Sequence, residues 1–166
     1  MPNGDQPTIK LGAKGDAVKR AQRALHRTPN PEVATDGIFG PATQQAVKDF
    51  QSASPPLAAD GVVGPATWAA LPDGGPMPVL KQGSELDAVR PLQELLSGAG
   101  NTDLWDTGPG EIDGKFGPQT RASVESFQGW ARIKVDGIVG DPTWQVQLGP
   151  IAYDLESGVG LQYIAG

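Results

Sequence analysis

The sequence predicts a mainly α protein: two tandem three-helix bundles, followed by a C-terminal β-hairpin. Three observations carry this expectation. One stretch of sequence occurs twice, Asp-Gly turns fall at the same places in both copies, and apolar residues between the turns recur at helical spacing.

The duplication comes first because it sets the architecture. Asp36-Gly37-Ile38-Phe39-Gly40-Pro41-Ala42-Thr43 recurs as Asp113-Gly114-Lys115-Phe116-Gly117-Pro118-Gln119-Thr120, an offset of 77 residues. Asp60-Gly61-Val62-Val63-Gly64-Pro65-Ala66-Thr67-Trp68 recurs as Asp136-Gly137-Ile138-Val139-Gly140-Asp141-Pro142-Thr143-Trp144, an offset of 76. Upstream, residues 12–22 match residues 83–93 at an offset of 71, so the second copy carries a loop about six residues longer. The copies span residues 8–72 and 79–148, with a Pro/Gly-rich linker at 73–78 and a tail at 149–166.

Within each copy three helices are expected. Asp16 and Asp87 suit the N-cap of the first, because a carboxylate accepts the orphan N–H groups of a first turn. Val18, Ala21 and Leu25 then fall on one face, as do Val89, Leu92, Leu95 and Leu96 in the second copy, where Pro91 should limit the helix. The second helix opens at Pro41 or Pro118, a residue tolerated at the first helical position, and buries Val47 with Phe50 or Val124 with Phe127. A short third helix starts at Pro65 or Pro142 and turns Trp68 with Leu71, or Trp144 with Leu148, into the core. The pairs Asp36-Gly37, Asp60-Gly61, Asp113-Gly114 and Asp136-Gly137 read as structural turns: Asp bonds its own backbone and Gly supplies positive φ. In the tail, Ile151, Tyr153 and Leu155, then Val159, Leu161 and Tyr163, alternate about Glu156-Ser157-Gly158, the pattern of a hairpin. A lone hairpin is barely stable in water, so it would pack on a module or add an edge to a partner protein's sheet.

Composition removes several function classes. The chain has 166 residues and a formal charge of −6. Residues 1–75 carry seven basic and seven acidic side chains, and residues 76–166 carry six against twelve. A nucleic-acid partner is not expected, because phosphate binding needs a basic footprint. No stretch reaches the roughly 20 apolar residues of a membrane span. There is no cysteine and one histidine, which leaves a hydrolytic zinc site short of ligands and expects no metal or other cofactor. No nucleophile motif accompanies His26, which reads as a surface residue closing the first helix. The N-terminus lacks the apolar run of a signal peptide, so export would follow removal of a signal or another route from the cytoplasm.

The ordered pattern V-x-x-[AL]-Q-x-x-L, D-G-x-F-G-x-x-T, V-x-x-F-Q and D-G-x-V-G-x-x-T-W-x-x-L resembles the helical peptidoglycan-binding module of bacterial and phage cell-wall hydrolases. Here it is carried by Val18, Gln22, Leu25, Asp36 to Thr43, Val47, Phe50, Gln51 and Asp60 to Leu71. The second copy supplies Val89, Gln93, Leu96, Asp113 to Thr120, Val124, Phe127, Gln128 and Asp136 to Leu148. The resemblance implies a non-catalytic protein that binds peptidoglycan or cell-wall glycan, outside the cell or associated with the wall. Nearly all matching residues are turn formers or core apolars, so the motif marks a scaffold and does not point to a ligand site.

Candidate contacts must therefore come from what the copies do not share. Trp105, with Asn101 and Asp106 beside it, lies in the longer loop of the second copy, and an exposed aromatic there would stack on a sugar face. Lys19, Arg23 and Arg27, with Lys14 and Arg20, form a basic face on the first helix suited to muropeptide carboxylates. Asp103, Asp106, Glu111 and Asp113 read as a solvated acidic loop; they lack the spacing of an EF-hand and carry no glycosidase assignment. The expected function is wall binding by two linked modules, with avidity raising the affinity of each. The alternative is a structural adaptor of a phage or injection-type assembly, contacting a protein partner through residues 149–166.

Overall fold

The computed structural model describes residues 3–28, 33–97, 108–148 and 154–164. The chain divides into two compact units, one reaching to Pro76 and the other beginning at Met77. Each contains one copy of the repeat and has its own hydrophobic core.

Module 1 is built from α1 (Asp16–His26), α2 (Pro41–Ser52) and α3 (Pro65–Ala70). Val18, Ala21, Ala24 and Leu25 of α1 meet Phe39, Val47, Val63, Trp68 and Leu71, with Phe50 packed at the margin. The helices are tied by the strand-like segment before α1. Ile9 exchanges backbone hydrogen bonds with Val63 at 3.1 and 2.8 Å, and Gly12 N–H donates to Phe39 C=O at 2.9 Å. Trp68 fixes this arm from inside, its indole N–H reaching Pro7 C=O at 2.9 Å, so a large apolar side chain is buried with its one donor satisfied.

Module 2 repeats the plan with α4 (Val89–Leu96), α5 (Pro118–Ala131) and α6 (Asp141–Trp144). Leu80 pairs with Val139, Gly83 N–H donates to Phe116 C=O at 2.8 Å, and the Trp144 indole reaches Pro78 C=O at 3.0 Å. The pairings are isolated bridges, and no strand forms among the described residues.

Two local expectations change. Neither Asp16 nor Asp87 caps a helix: the N-cap positions are Gly15 and Ala88, without a side-chain hydrogen bond. Gly15 instead donates to Gly37 C=O at 2.9 Å, which draws the start of α1 onto the first Asp-Gly turn and leaves Asp16 inside the first turn. There its charge still favours the positive end of the helix dipole. His26 is buried, not a surface residue; it follows Gln22 by four positions and so shares the inward face of α1.

The tail is not a hairpin. Leu155–Val159 forms a five-residue helix, α7, followed by one 3₁₀ turn at Leu161–Tyr163. Asp154 caps α7, accepting the Ser157 N–H at 2.8 Å while its own N–H donates to Ser157 Oγ at 3.1 Å. Leu155 and Val159 are four apart, a spacing that satisfies both an alternating strand and a helical face. The capping box and the apolar seat on α4 and α6 decide for the helix. Leu155 and Val159 enter the module 2 core, Tyr163 and Ile164 cover its edge, and α7 packs on α4 and α6. Ile151 and Tyr153 lie outside the described residues.

Candidate ligand-binding surfaces

Each Asp-Gly turn is held by a glutamine from the preceding helix. Gln22, Gln51, Gln93 and Gln128 are all fully buried. Gln22 Nε2 donates to Asp36 Oδ1 at 2.9 Å, Ile38 C=O at 3.1 Å and Thr43 Oγ1 at 3.1 Å, while its Oε1 accepts Gly37 N–H at 2.9 Å. Gln51 does the same with Asp60, Val62, Thr67 and Gly61, at 2.9–3.1 Å. Gln93 repeats it with Asp113, Lys115, Thr120 and Gly114, and Gln128 with Asp136, Ile138, Thr143 and Gly137. Two amide protons are thereby shared among three acceptors, and no polar atom of the buried side chain is wasted. The glycine that donates to each lock has φ between 71° and 78°, a conformation open to glycine and strained for other residues.

The same geometry fixes the four aspartates. In each, Oδ1 accepts the backbone N–H two residues on, at 2.9–3.0 Å. That bond is the main reason the carboxyls of Asp36, Asp60, Asp113 and Asp136 sit below the usual aspartate range; the glutamine amide adds to it at each site. They are turn-forming carboxylates, already engaged. Among the described residues no group of three His, Asp or Glu side chains is placed to hold a metal ion.

The glutamines escape a reading based on apolar spacing because they are polar residues at inward-facing helical positions. The available signal was their place: Gln22 and Gln51 follow a core valine by four residues, and each copy repeats them ahead of every Asp-Gly pair.

The basic face of α1 has structural partners within module 1. Arg27 donates to the carbonyls of Asp73 and Gly75 at 2.6 and 2.8 Å, and Arg23 to that of Gly74 at 3.3 Å. Arg20 lies 3.6 Å from the Asp73 carboxylate. Asn3 completes the clasp: its amide reaches the Trp68 and Pro72 carbonyls at 3.2 and 3.0 Å, and its Oδ1 accepts the Gly74 N–H at 2.8 Å. Gly74 is required here by close approach, since a Cβ would run into the Arg20 backbone. The first residues read as a linker are thus laid along α1. Lys19 is half-buried, its aliphatic stem lying over Gly37.

In module 2 a shallow groove of about 260 Å³ opens beside the first Asp-Gly turn. It is lined by Pro109, Glu111, Asp113 and Lys115, and by Gln119 and Thr120 of the first turn of α5. Asn101, Trp105 and Asp106 lie outside the described residues.

The relationships of the chain agree with this construction. The family described as "Putative peptidoglycan binding domain" matches residues 14–71 and again 85–146. Over 68 residues the chain is 46% identical to an "Uncharacterized protein in bpoA1 3'region" of Kitasatospora aureofaciens, covering 40% of this chain and 52% of that protein. Over 65 residues it is 48% identical to the Zinc D-Ala-D-Ala carboxypeptidase of Streptomyces albus G, covering 39% of this chain and 24% of the enzyme. The chain therefore spans about half of the first relative and a quarter of the second. Among solved structures, the Burkholderia AP3 phage endolysin aligns at 27% identity over 81% of this chain and 57% of its own, with a TM-score of 0.38. With both copies matched over most of their length, and each holding two glutamine-locked turns, the chain belongs to the peptidoglycan-binding-domain family.

Proposed function

We propose that this chain binds peptidoglycan at the cell wall without cleaving it, through two modules joined in one polypeptide. The observation that carries the reading is the double family match, with a complete set of turn locks in both copies. A scaffold kept intact twice suits a repetitive polymer, where a second weak site on the same chain raises retention well beyond either alone. The zinc carboxypeptidase relative does not extend its activity here: a zinc hydrolase needs about three protein ligands, and this chain has one histidine and no cysteine. The AP3 neighbour, by its name an endolysin, is likewise matched over only part of its length.

For contacts, Trp105 remains the proposed sugar-stacking residue, with Asn101 and Asp106 beside it. On module 1, Lys19 is the proposed charged contact; Arg23 and Arg27 support it by holding the α1 face in place. Binding through a protein partner at the tail is the weaker reading, because Leu155 and Val159 are spent on the module 2 core.

The test is retention on purified, protein-free sacculi at moderate salt, for the full chain and for Trp105→Ala and Lys19→Ala. Retention of the full chain, reduced severalfold by Trp105→Ala, is expected. No retention, or release of soluble wall fragments during incubation, would overturn the reading.

A further inference from the structure

The two modules share their locks but differ in what lies over them. In module 1, Lys19 covers the Gly37 turn; Gln44 and Lys48 cover Gly61; in module 2, Arg121 covers Gly137. Gly114 is the exception, with open space where a side chain would start, among the described residues. The residue equivalent to Lys19 is Arg90, and it turns to Glu94 on its own helix, 3.8 Å away. The groove lies beside this turn and is lined by its neighbours Asp113 and Lys115.

The groove has also changed its chemistry. Glu111, Lys115 and Gln119 line it in module 2, and all three are exposed. Their counterparts in module 1, at the repeat offset of 77, are Ala34, Ile38 and Ala42. Asp113, the other acidic residue of the groove, is occupied by Gln93 and the Lys115 backbone N–H. The Glu111 carboxylate, the Lys115 ammonium (whose charge also acts on Asp113) and the Gln119 amide line one opening, with the positive end of the α5 dipole beside them. Among the described residues no aromatic side chain lines it, so these residues offer no platform for a neutral sugar ring.

We propose that this groove binds the uncross-linked stem peptide of peptidoglycan, a short zwitterion, with its free ammonium at Glu111 and a free carboxylate at Lys115. The inference rests on the wall-binding reading and deepens it: module 2 reads the peptide at ends that cross-linking would remove. Paired charges of opposite sign select a ligand carrying both, since a ligand with only one leaves the other groove charge uncompensated. Gln119 supplies an amide for the peptide backbone between them. Module 1, with alanines and isoleucine at these places and Lys19 over its turn, is not a second copy of the site.

The experiment titrates the full chain with a synthetic stem tetrapeptide (alanyl-glutamyl-diaminopimelyl-alanine), following amide shifts of Gly114, Lys115 and Gln119. A peptide-free oligosaccharide of the wall sugars is the comparison ligand. Lys115→Ile and Glu111→Ala, the residues module 1 carries, should each weaken stem binding about tenfold or more. Amidating the ligand carboxylates should cost the wild type as much and cost Lys115→Ile nothing further. An unchanged Gly114 amide exchange rate shows that the lock still holds in each variant. Equal stem affinity in wild type and variants, or shifts at the groove produced equally by the oligosaccharide, would overturn the proposal. A chain retained on sacculi but indifferent to the stem peptide loses this inference alone; a chain that binds neither loses the wall-binding reading as well.

Discussion

Modules 1 and 2 solve one folding problem identically and another differently. Both hold their Asp-Gly turns with buried glutamines that make the same four bonds, to which Gln128 adds one from the Asp136 N–H. They differ in how the first helix is closed off after the third. In module 1, residues 73–75 run along α1 as bare backbone, held by Arg20, Arg23, Arg27 and Asn3. In module 2, α7 does that work with Leu155 and Val159 in the core. Backbone carbonyls must be hydrogen-bonded when they are covered, so a glycine-rich strap demands arginines; an amphipathic helix satisfies its own backbone and needs only an apolar seat. The helix beneath follows suit. Where α1 has Arg20 and Arg23, α4 has Pro91 and Glu94.

The comparison breaks most visibly at the locks. Gln22→Leu and Gln93→Leu each strip four hydrogen bonds and leave a buried threonine hydroxyl and glycine N–H short of partners. Each is expected to cost its own module about 3 kcal/mol or more. Urea unfolding, with amide exchange at Gly61 and Gly137 as module-specific reporters, checks this. Markedly unequal losses would show that equal geometry conceals unequal strain.

Ending the chain at Leu148 tests the closing segments. Removal of Leu155 and Val159 is expected to destabilise module 2 by about 3 kcal/mol, with Gly37 exchange in module 1 unaltered. The parallel change in module 1, Arg27→Met, removes two bonds to carbonyls and should cost about 1.5 kcal/mol. If the truncation costs less than Arg27→Met, the apolar closure is not the stronger one.

Ser123 offers a gain. Its Oγ is buried in α5 without a hydrogen bond among the described residues, and the equivalent residue of module 1 is Ala46. Ser123→Ala is expected to stabilise module 2 by about 1 kcal/mol, read as a higher urea midpoint. A loss would mean the hydroxyl has an unobserved use.

Acid should affect both modules alike. The four turn carboxylates are held below their ordinary range by the backbone N–H two residues on, with help from glutamine. Their contribution is therefore complete above about pH 4, the unfolded value, and is lost as pH falls through the lower folded one. These groups are solvent-exposed, so the effect is the smallest of the set. Urea midpoints taken from neutral pH downward should hold steady and then decline together for the two modules. A decline beginning well above pH 4, or in one module alone, would implicate other groups.

Much of this was legible in the residues. The duplication, the proline-opened helices at Pro41, Pro65 and Pro118, and the inward Trp68 and Trp144 follow from short-range rules: a turn type demands Asp-Gly, a first helical position tolerates proline, and a period of 3.6 gathers apolar side chains. The candidate site was less legible, since a groove is made of residues whose neighbours are set by folding. Glu111, Lys115 and Gln119 are ordinary surface residues until α5 is placed against the turn.

By itself, then, the sequence determined the two-module plan and the locations of its turns, because those depend on residues close together in the chain. Tertiary structure alone decided the remaining features. It gave Gln22, Gln51, Gln93 and Gln128 their partners 8 to 27 residues away, put arginines to use on a strap, and bared the turn at Gly114. It also made a helix of the tail, where Leu155 and Val159 suit either period and only a capping residue and an apolar seat on α4 and α6 separate the two. Local patterns name the conformations open to a segment; which of them is adopted depends on the surface it is offered to bury.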